Sequence, residues 1–216
     1  MDLAIIGTDT GIGKTHVTLG LAAALRQRQR RVWLHKPVAC GDWDGTSADD
    51  GRRLRAACGD TQDPATICPF EFAEPASPHL AAAAAGVQLR MEDLDASITA
   101  VRGDHDLLVE GAGGLLAPLT HARHTFAELL PRWQLPAILV TRPDLGTLNH
   151  TTLTVRVARS AGITLRAIII NRARPVAEAS LAVRSAPAEL RLLTGLPVVE
   201  SLDALVNVLL APTFTP

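Results

Sequence analysis

Short unbroken apolar runs recur along the chain, each closed by glycine or a polar cluster and followed by a segment with helical spacing. "LAIIG" over 3–7 predicts a buried strand. "THVTLGLAAALRQR" over 15–28 sets Val17, Leu21, Ala24 and Leu25 on one helical face. "RVWLHKP" over 31–37 predicts a second strand, ended by Pro37. Residues 41–51 are polar and glycine-rich, which predicts a loop; "DDGRRLRAACG" then predicts a helix stopped by Gly59. Residues 63–79 hold four prolines and no clean period, which predicts an irregular connection. "HLAAAAAG" and "MEDLDASITAVRG" predict helices, and "DLLVEGAGG" over 106–114 a buried strand running into a glycine turn. Beyond it the pattern predicts a short helix in "TFAELLPRW", a strand over 136–141, a helix stopped by Gly162 and a strand over 165–171. "EASLAVRSAPAELRLLTG" predicts a helix that Pro187 interrupts, and "LPVVES" over 196–201 a short closing strand.

Strands that are continuous apolar runs, alternating with helices, predict an α/β fold with a mostly parallel sheet covered by helices on both faces. The 216 residues suffice for one large core, so 1–216 is expected to form a single domain. Hydrophobic residues make up 47% but aromatics only 3%, so the core is aliphatic. The formal net charge of −1 gives no sign of a nucleic-acid partner, and the basic run "RQRQRRVW" reads as a solvated helix end. Three cysteines without a paired spacing fit a reducing compartment. No apolar run is long enough for a membrane span and no signal segment is visible, so a cytoplasmic location is expected.

In open parallel sheets ligands gather at the carboxyl ends of the strands. "GTDTGIGKT" over 7–15 stands at the first of these ends and closes like a phosphate loop, G-x-x-x-x-G-K-[ST], but five residues separate Gly7 from Gly13 and Thr8 stands where the first glycine belongs. Gly11 and Gly13 let backbone N–H groups curl toward phosphate, Lys14 supplies charge, and Thr15 offers a hydroxyl to Mg²⁺. Glu110, at the tip of the third run and followed by "GAGG", is placed as a metal-bridging carboxylate. Lys36 ends the second run; taken alone it reads first as a surface lysine, with charge stabilisation as the alternative. Asp49 and Asp50 read first as charges complementing a helix N-terminus, with a metal role as the alternative. His121 and His124 lack partners for a metal site, and "G-x-S-x-G" is absent.

Together "GTDTGIGKT", "KPVACG", "FAEPASPH", "VEGAGG", "LPAILVTRPDLGTLNH" and "IIINRARP" resemble the dethiobiotin synthetase family, over most of the chain and in the family's order. The resemblance implies a P-loop NTPase-like fold and ATP- and Mg²⁺-dependent carboxylation of 7,8-diaminopelargonate with CO₂. The carbamate is phosphorylated and the second amine closes the ureido ring. It further implies that Gly11, Ile12, Gly13, Lys14, Thr15 and His16 bind the ATP phosphates with Gly111, Ala112 and Gly113. Thr15, Asp50 and Glu110 would surround Mg²⁺; Asp50 is preferred over Asp49 because Leu54 follows it by four positions, as in the family. Lys36 and Lys14 would be catalytic, Lys36 meeting the carbamate and the transferring phosphoryl group. Thr10, Lys36 and Cys40 would contact the diamine, so the stretched loop serves phosphates and acceptor alike. Gly146, Thr147, Leu148 and Asn149 would receive the substrate carboxylate at a helix N-terminus, in a homodimer whose site is completed by the other subunit. Asn171 and Arg172, with Pro197, Val198 and Val199, would line the base. Two positions depart from the family pattern: Cys40 stands where serine is common, and Arg172 where an aspartate is common, which loosens the choice of ATP over other nucleotides. The main rival is a partitioning-type P-loop switch ATPase; such proteins carry a second lysine early in the loop, and 8–10 hold none.

Overall fold

Six parallel strands form the central sheet of the computed structural model, which describes residues 1–173 and 180–211, the Asp60 side chain aside. β1 (Asp2–Gly7) lies in its middle, paired with β5 (Asp106–Glu110) on one side and β6 (Ala137–Thr141) on the other. β2 (Val32–His35) forms one edge and β7 (Leu165–Ile170) leads to β8 (Val198–Val199) at the other, in the order β2-β5-β1-β6-β7-β8. Ile5 lies opposite both Glu110, the last residue of β5, and Ile138, so β1 and β6 run two and three residues past the tip of β5.

Both faces of the sheet are buried, so successive strand residues enter opposite cores. Leu3 and Ile5 pack with Val17, Leu21 and Leu25 of α1 (Lys14–Gln27) and with Leu205 and Val206 of α9 (Leu202–Leu210). Ala4 and Ile6 belong to the other core. It gathers Leu94 and Ile98 of α5 (Met91–Ala100), Phe126 and Leu129 of α6 (Phe126–Arg132), Val155 and Ala158 of α7 (Thr147–Ser160), and Leu190 of α8 (Leu181–Thr194). From β1 the chain crosses to β2 on one side and only later to β6 on the other, so a crevice opens at the carboxyl end of β1.

The segment expected to be irregular is more ordered than its prolines suggest. Residues 63–79 contain α3 (Pro64–Ile67), β4 (Phe70–Phe72) and the start of α4 (Pro78–Ala84). β4 pairs in parallel with β3 (Val38–Cys40), which follows Pro37. Pro64 and Pro78 each open a helix, where a missing N–H costs nothing. Lys36 follows the end of β2 at His35, and α2 (Asp49–Cys58) opens on the expected aspartates. The helix α8 runs unbroken through Pro187, because Val183, Ala186 and Leu190 anchor its buried face on both sides of the lost hydrogen bond. Positions 178 and 179 of the helix expected there lie outside the described residues.

Candidate active site

The phosphate-loop segment bends on two glycines with left-handed backbone, Gly11 at φ 68° and Gly13 at φ 93°, and α1 begins immediately after at Lys14. Among the described residues, the backbone N–H groups of 11–16 have no hydrogen-bond acceptor, as expected where a first helical turn faces a ligand. Lys14 folds back over the loop, its Nζ donating to Asp9 O at 2.9 Å and to Gly113 O at 2.7 Å. Burial, reinforced by the charge of Lys36, lowers its pKa to about 8.

Four elements converge beside it. The Thr15 hydroxyl lies 2.7 Å from Asp50 Oδ1 and 2.6 Å from Glu110 Oε1. Lys36 Nζ lies 2.7 Å from Glu110 Oε1 and contacts Asp50 Oδ2. Lys36 is placed by its own N–H, which donates to Ile67 O at 2.8 Å, and Asp50 by the first turn of α2. Glu110 is the last residue of β5 and fully buried. Burial alone would lower the Lys36 pKa; Glu110 and Asp50 override it and hold the ammonium above its usual range. Burial likewise opposes ionisation of Asp50, but Lys36 and the Thr15 hydroxyl hold its carboxyl below its ordinary value. Asp49 points elsewhere, to Arg52 at 3.2 Å and Arg53 at 3.8 Å.

The donor set suits a hard divalent cation. One hydroxyl proton cannot serve Asp50 Oδ1 and Glu110 Oε1 at once, so three oxygens crowd together with the Lys36 ammonium beside them. Glu110 Oε2 is buried without a hydrogen-bond partner among the described residues. Two carboxylates and a hydroxyl are oxygen ligands of the kind Mg²⁺ takes.

A cavity of about 750 Å³ opens from this cluster. The predicted residues Thr10, Gly11, Ile12, Gly13, Lys14, Thr15, His16, Lys36, Cys40, Asp50, Glu110, Ala112, Gly113 and Asn171 line it. Burial raises the Cys40 thiol to about 11 against the opposing charge of Lys36, which leaves it protonated and a poor nucleophile. The other predicted positions are not on its wall. Gly111 sits behind Ala112, with its N–H on Ile5 O at 2.9 Å. Val198 is a buried strand residue, Pro197 O accepts from Ile168 N, and Arg172 Nε donates to Glu200 Oε2 at 2.8 Å. Gly146, Thr147, Leu148 and Asn149 open α7 away from the cavity; Thr147 and Thr151 are tied to Thr141 at the tip of β6 by hydroxyl contacts of 3.0 and 2.9 Å.

Sequence reasoning missed part of the wall. Val38 and Ala39 of β3, with Pro75, Ala76 and Pro78, give it an apolar side. Arg142 follows β6 directly and Arg53 lies one helical turn beyond Asp50. The strand-end rule that singled out Lys36 and Glu110 would have found Arg142 as well.

The AAA domain family model matches residues 2–208. The chain is 41% identical over 174 residues to the ATP-dependent dethiobiotin synthetase BioD of Bacillus velezensis, covering 79% of this chain and 74% of that protein. Its identity to the protein of the same name from Anaeromyxobacter sp. strain Fw109-5 is 40% over 194 residues, covering 89% and 85%. Among solved structures, the fold is similar to that of a DUF1611 family protein from Anabaena variabilis, with TM-score 0.57 and 20% identity, over 96% of this chain and 56% of that one. It is also similar to a ParA family ATPase from Chlorobium tepidum, with TM-score 0.51 and 17% identity, over 97% and 89%.

Proposed function

The chain belongs to the ATP-dependent dethiobiotin synthetase family, and from that premise we propose that it joins CO₂ to 7,8-diaminopelargonate and closes the ureido ring of dethiobiotin, cleaving ATP to ADP and phosphate. The observation that carries this reading is the convergence of Lys14, Thr15, Lys36, Asp50 and Glu110 at one end of a single cavity. In it, one uncharged amine of the substrate attacks CO₂ and loses a proton, giving a carbamate. A carbamate oxygen then takes the terminal phosphoryl group, and ADP leaves. The second amine attacks the carbamoyl carbon, the C–O bond to phosphate breaks, and the amine proton passes to solvent.

No covalent link to the protein is required, so the side chains orient groups and balance charge. Lys36, kept cationic by its two carboxylate neighbours, cannot act as a base; it offers positive charge to the carbamate and to the phosphoryl group in transit. Lys14 and the N–H groups of 11–16 hold the phosphates. Thr15, Asp50 and Glu110 would hold Mg²⁺, which supplies charge neutralisation to the phosphates when bound. The apolar wall of Val38, Ala39, Pro75 and Ala76 suits the alkyl chain of the substrate, with Thr10 and Cys40 at its polar end. Asn171, on the cavity wall, is assigned to the base, with Arg172 and 197–199 next to it at the ends of β7 and β8.

The substrate carboxylate is assigned to the start of α7, in a homodimer where one subunit's 146–149 complete the other's cavity. The whole chain acts as one unit in the cytoplasm, with no nucleic-acid or membrane partner. None of the described helices is long and apolar enough to cross a membrane.

ATP turnover measured with diaminopelargonate and bicarbonate, with DNA, and with lipid vesicles tests this reading. Stimulation by the diamine is expected. Stimulation by DNA or vesicles instead would favour a partitioning-type switch ATPase.

A further inference from the structure

A trans peptide sends its C=O and N–H in opposite directions. Whatever fixes the carbonyl of Ile12 therefore also aims the N–H of Gly13. That carbonyl accepts a buried hydrogen bond of 2.8 Å from Asn171 Nδ2. Asn171 lies at the tip of β7, beyond β6 from the loop, with its own N–H on Thr141 O at 2.7 Å. Its Oδ1 accepts from Ala173 N at 3.0 Å, so the amide is held at both ends and its orientation is fixed by its partners. Gly13 makes room for it: a Cβ there would lie 1.9 Å from Asn171 Nδ2, over and above the left-handed φ of 93°. Glycine is thus required at 13 for two separate reasons, one of them the amide of Asn171.

We propose that Asn171 is a positioning residue for the phosphate loop. By drawing the Ile12 carbonyl toward β7 it turns the Gly13 N–H away from β7, to the side where Lys14, Thr15 and Glu110 gather. The residue assigned to the base then also presets the loop that receives the phosphates. A base contact and a phosphate contact share one side chain. The inference rests on the phosphate-loop reading of 11–15 given above.

Tripolyphosphate has no base, so it separates the two roles. With Mg²⁺ present, the wild-type chain binds both ATP and tripolyphosphate, and Asn171→Ala weakens both by about tenfold, the scale of leaving one buried carbonyl unpaired. Thermal unfolding checks that the variant is folded; if it is not, Asn171→Ser gives the same comparison with less lost volume. Loss of ATP affinity with tripolyphosphate affinity unchanged would reduce Asn171 to a base contact and overturn the inference. Failure of the wild-type chain to bind either ligand would overturn the nucleotide reading itself, and the inference with it.

Discussion

Burial alone would lower the Lys36 pKa, and the two carboxylates in contact with it reverse that shift. The dependence is mutual: without Lys36, part-exposed Asp50 and buried Glu110 face each other with only the Thr15 hydroxyl between them. Removing one member of the buried Lys36–Glu110 pair costs about 3–5 kcal/mol. Lys36→Ala is therefore expected to lose at least about a hundredfold in turnover and to unfold at a lower temperature. Mg²⁺, by taking over the charge balance, should raise the melting temperature of the variant more than that of the wild-type chain. Equal shifts would mean the two carboxylates do not share the cation. Much of this was legible: Lys36 and Glu110 each close an apolar run, and Lys14 and Thr15 end the glycine loop that follows the first one. Lys36 read alone was ambiguous, because nothing local to "HKPVACG" reveals the carboxylates that arrive from positions 50 and 110.

The helix α2 carries Asp50 on its first turn, and Glu71 of β4 holds that turn in place. Glu71 Oε2 accepts from Ala48 N at 2.9 Å, its Oε1 contacts Arg55, and a Cβ at Gly51 would lie 2.3 Å from Oε2. Glu71→Ala is expected to raise the Mg²⁺ concentration needed for half-maximal turnover several-fold, with Glu71→Gln intermediate because it keeps an acceptor for Ala48. An unchanged Mg²⁺ requirement in both would detach β4 from the site. His35 ends β2 and links it to α3 and α5, through Thr66 O at 2.9 Å and Ser97 Oγ at 3.2 Å. Burial lowers its pKa from 6.5 to about 4, against the pull of the Thr66 carbonyl. The unfolded chain takes up this proton near pH 6.5 and the folded chain only near pH 4, so stability falls as the medium is acidified between them. The loss reaches about 3 kcal/mol at the lower end. Urea midpoints at pH 7 and pH 4.5 check this: His35→Gln should flatten that part of the pH dependence, and an equally steep fall would assign it to other groups. The strands β3 and β4 escaped sequence reading because three-residue strands hold too few positions to show a period, and the surrounding prolines signalled irregularity.

For the whole molecule, the parallel sheet with two aliphatic cores was legible, since each long strand is an apolar run of its own. That the start of α7 stands apart from the cavity is anticipated only by the family resemblance, with its shared homodimer site; the residues of 146–149 by themselves read as an ordinary helix start. Mixing tests the shared site. If Lys36 of one subunit works with 146–149 of the other, Lys36→Ala and Asn149→Ala chains, each nearly inactive, form mixed dimers with one intact site. Random pairing then restores about a quarter of wild-type turnover. No recovery on mixing, with dimers present, would place both residues in the same subunit's site.

The most direct measurement is identification by mass of what forms from diaminopelargonate, bicarbonate, Mg²⁺ and ATP. Dethiobiotin is expected, with one ADP and one phosphate for each molecule made, and neither product nor ADP at comparable rates when Lys36 is replaced by alanine. Steady release of ADP and phosphate while the diamine is recovered unchanged would contradict the proposed function.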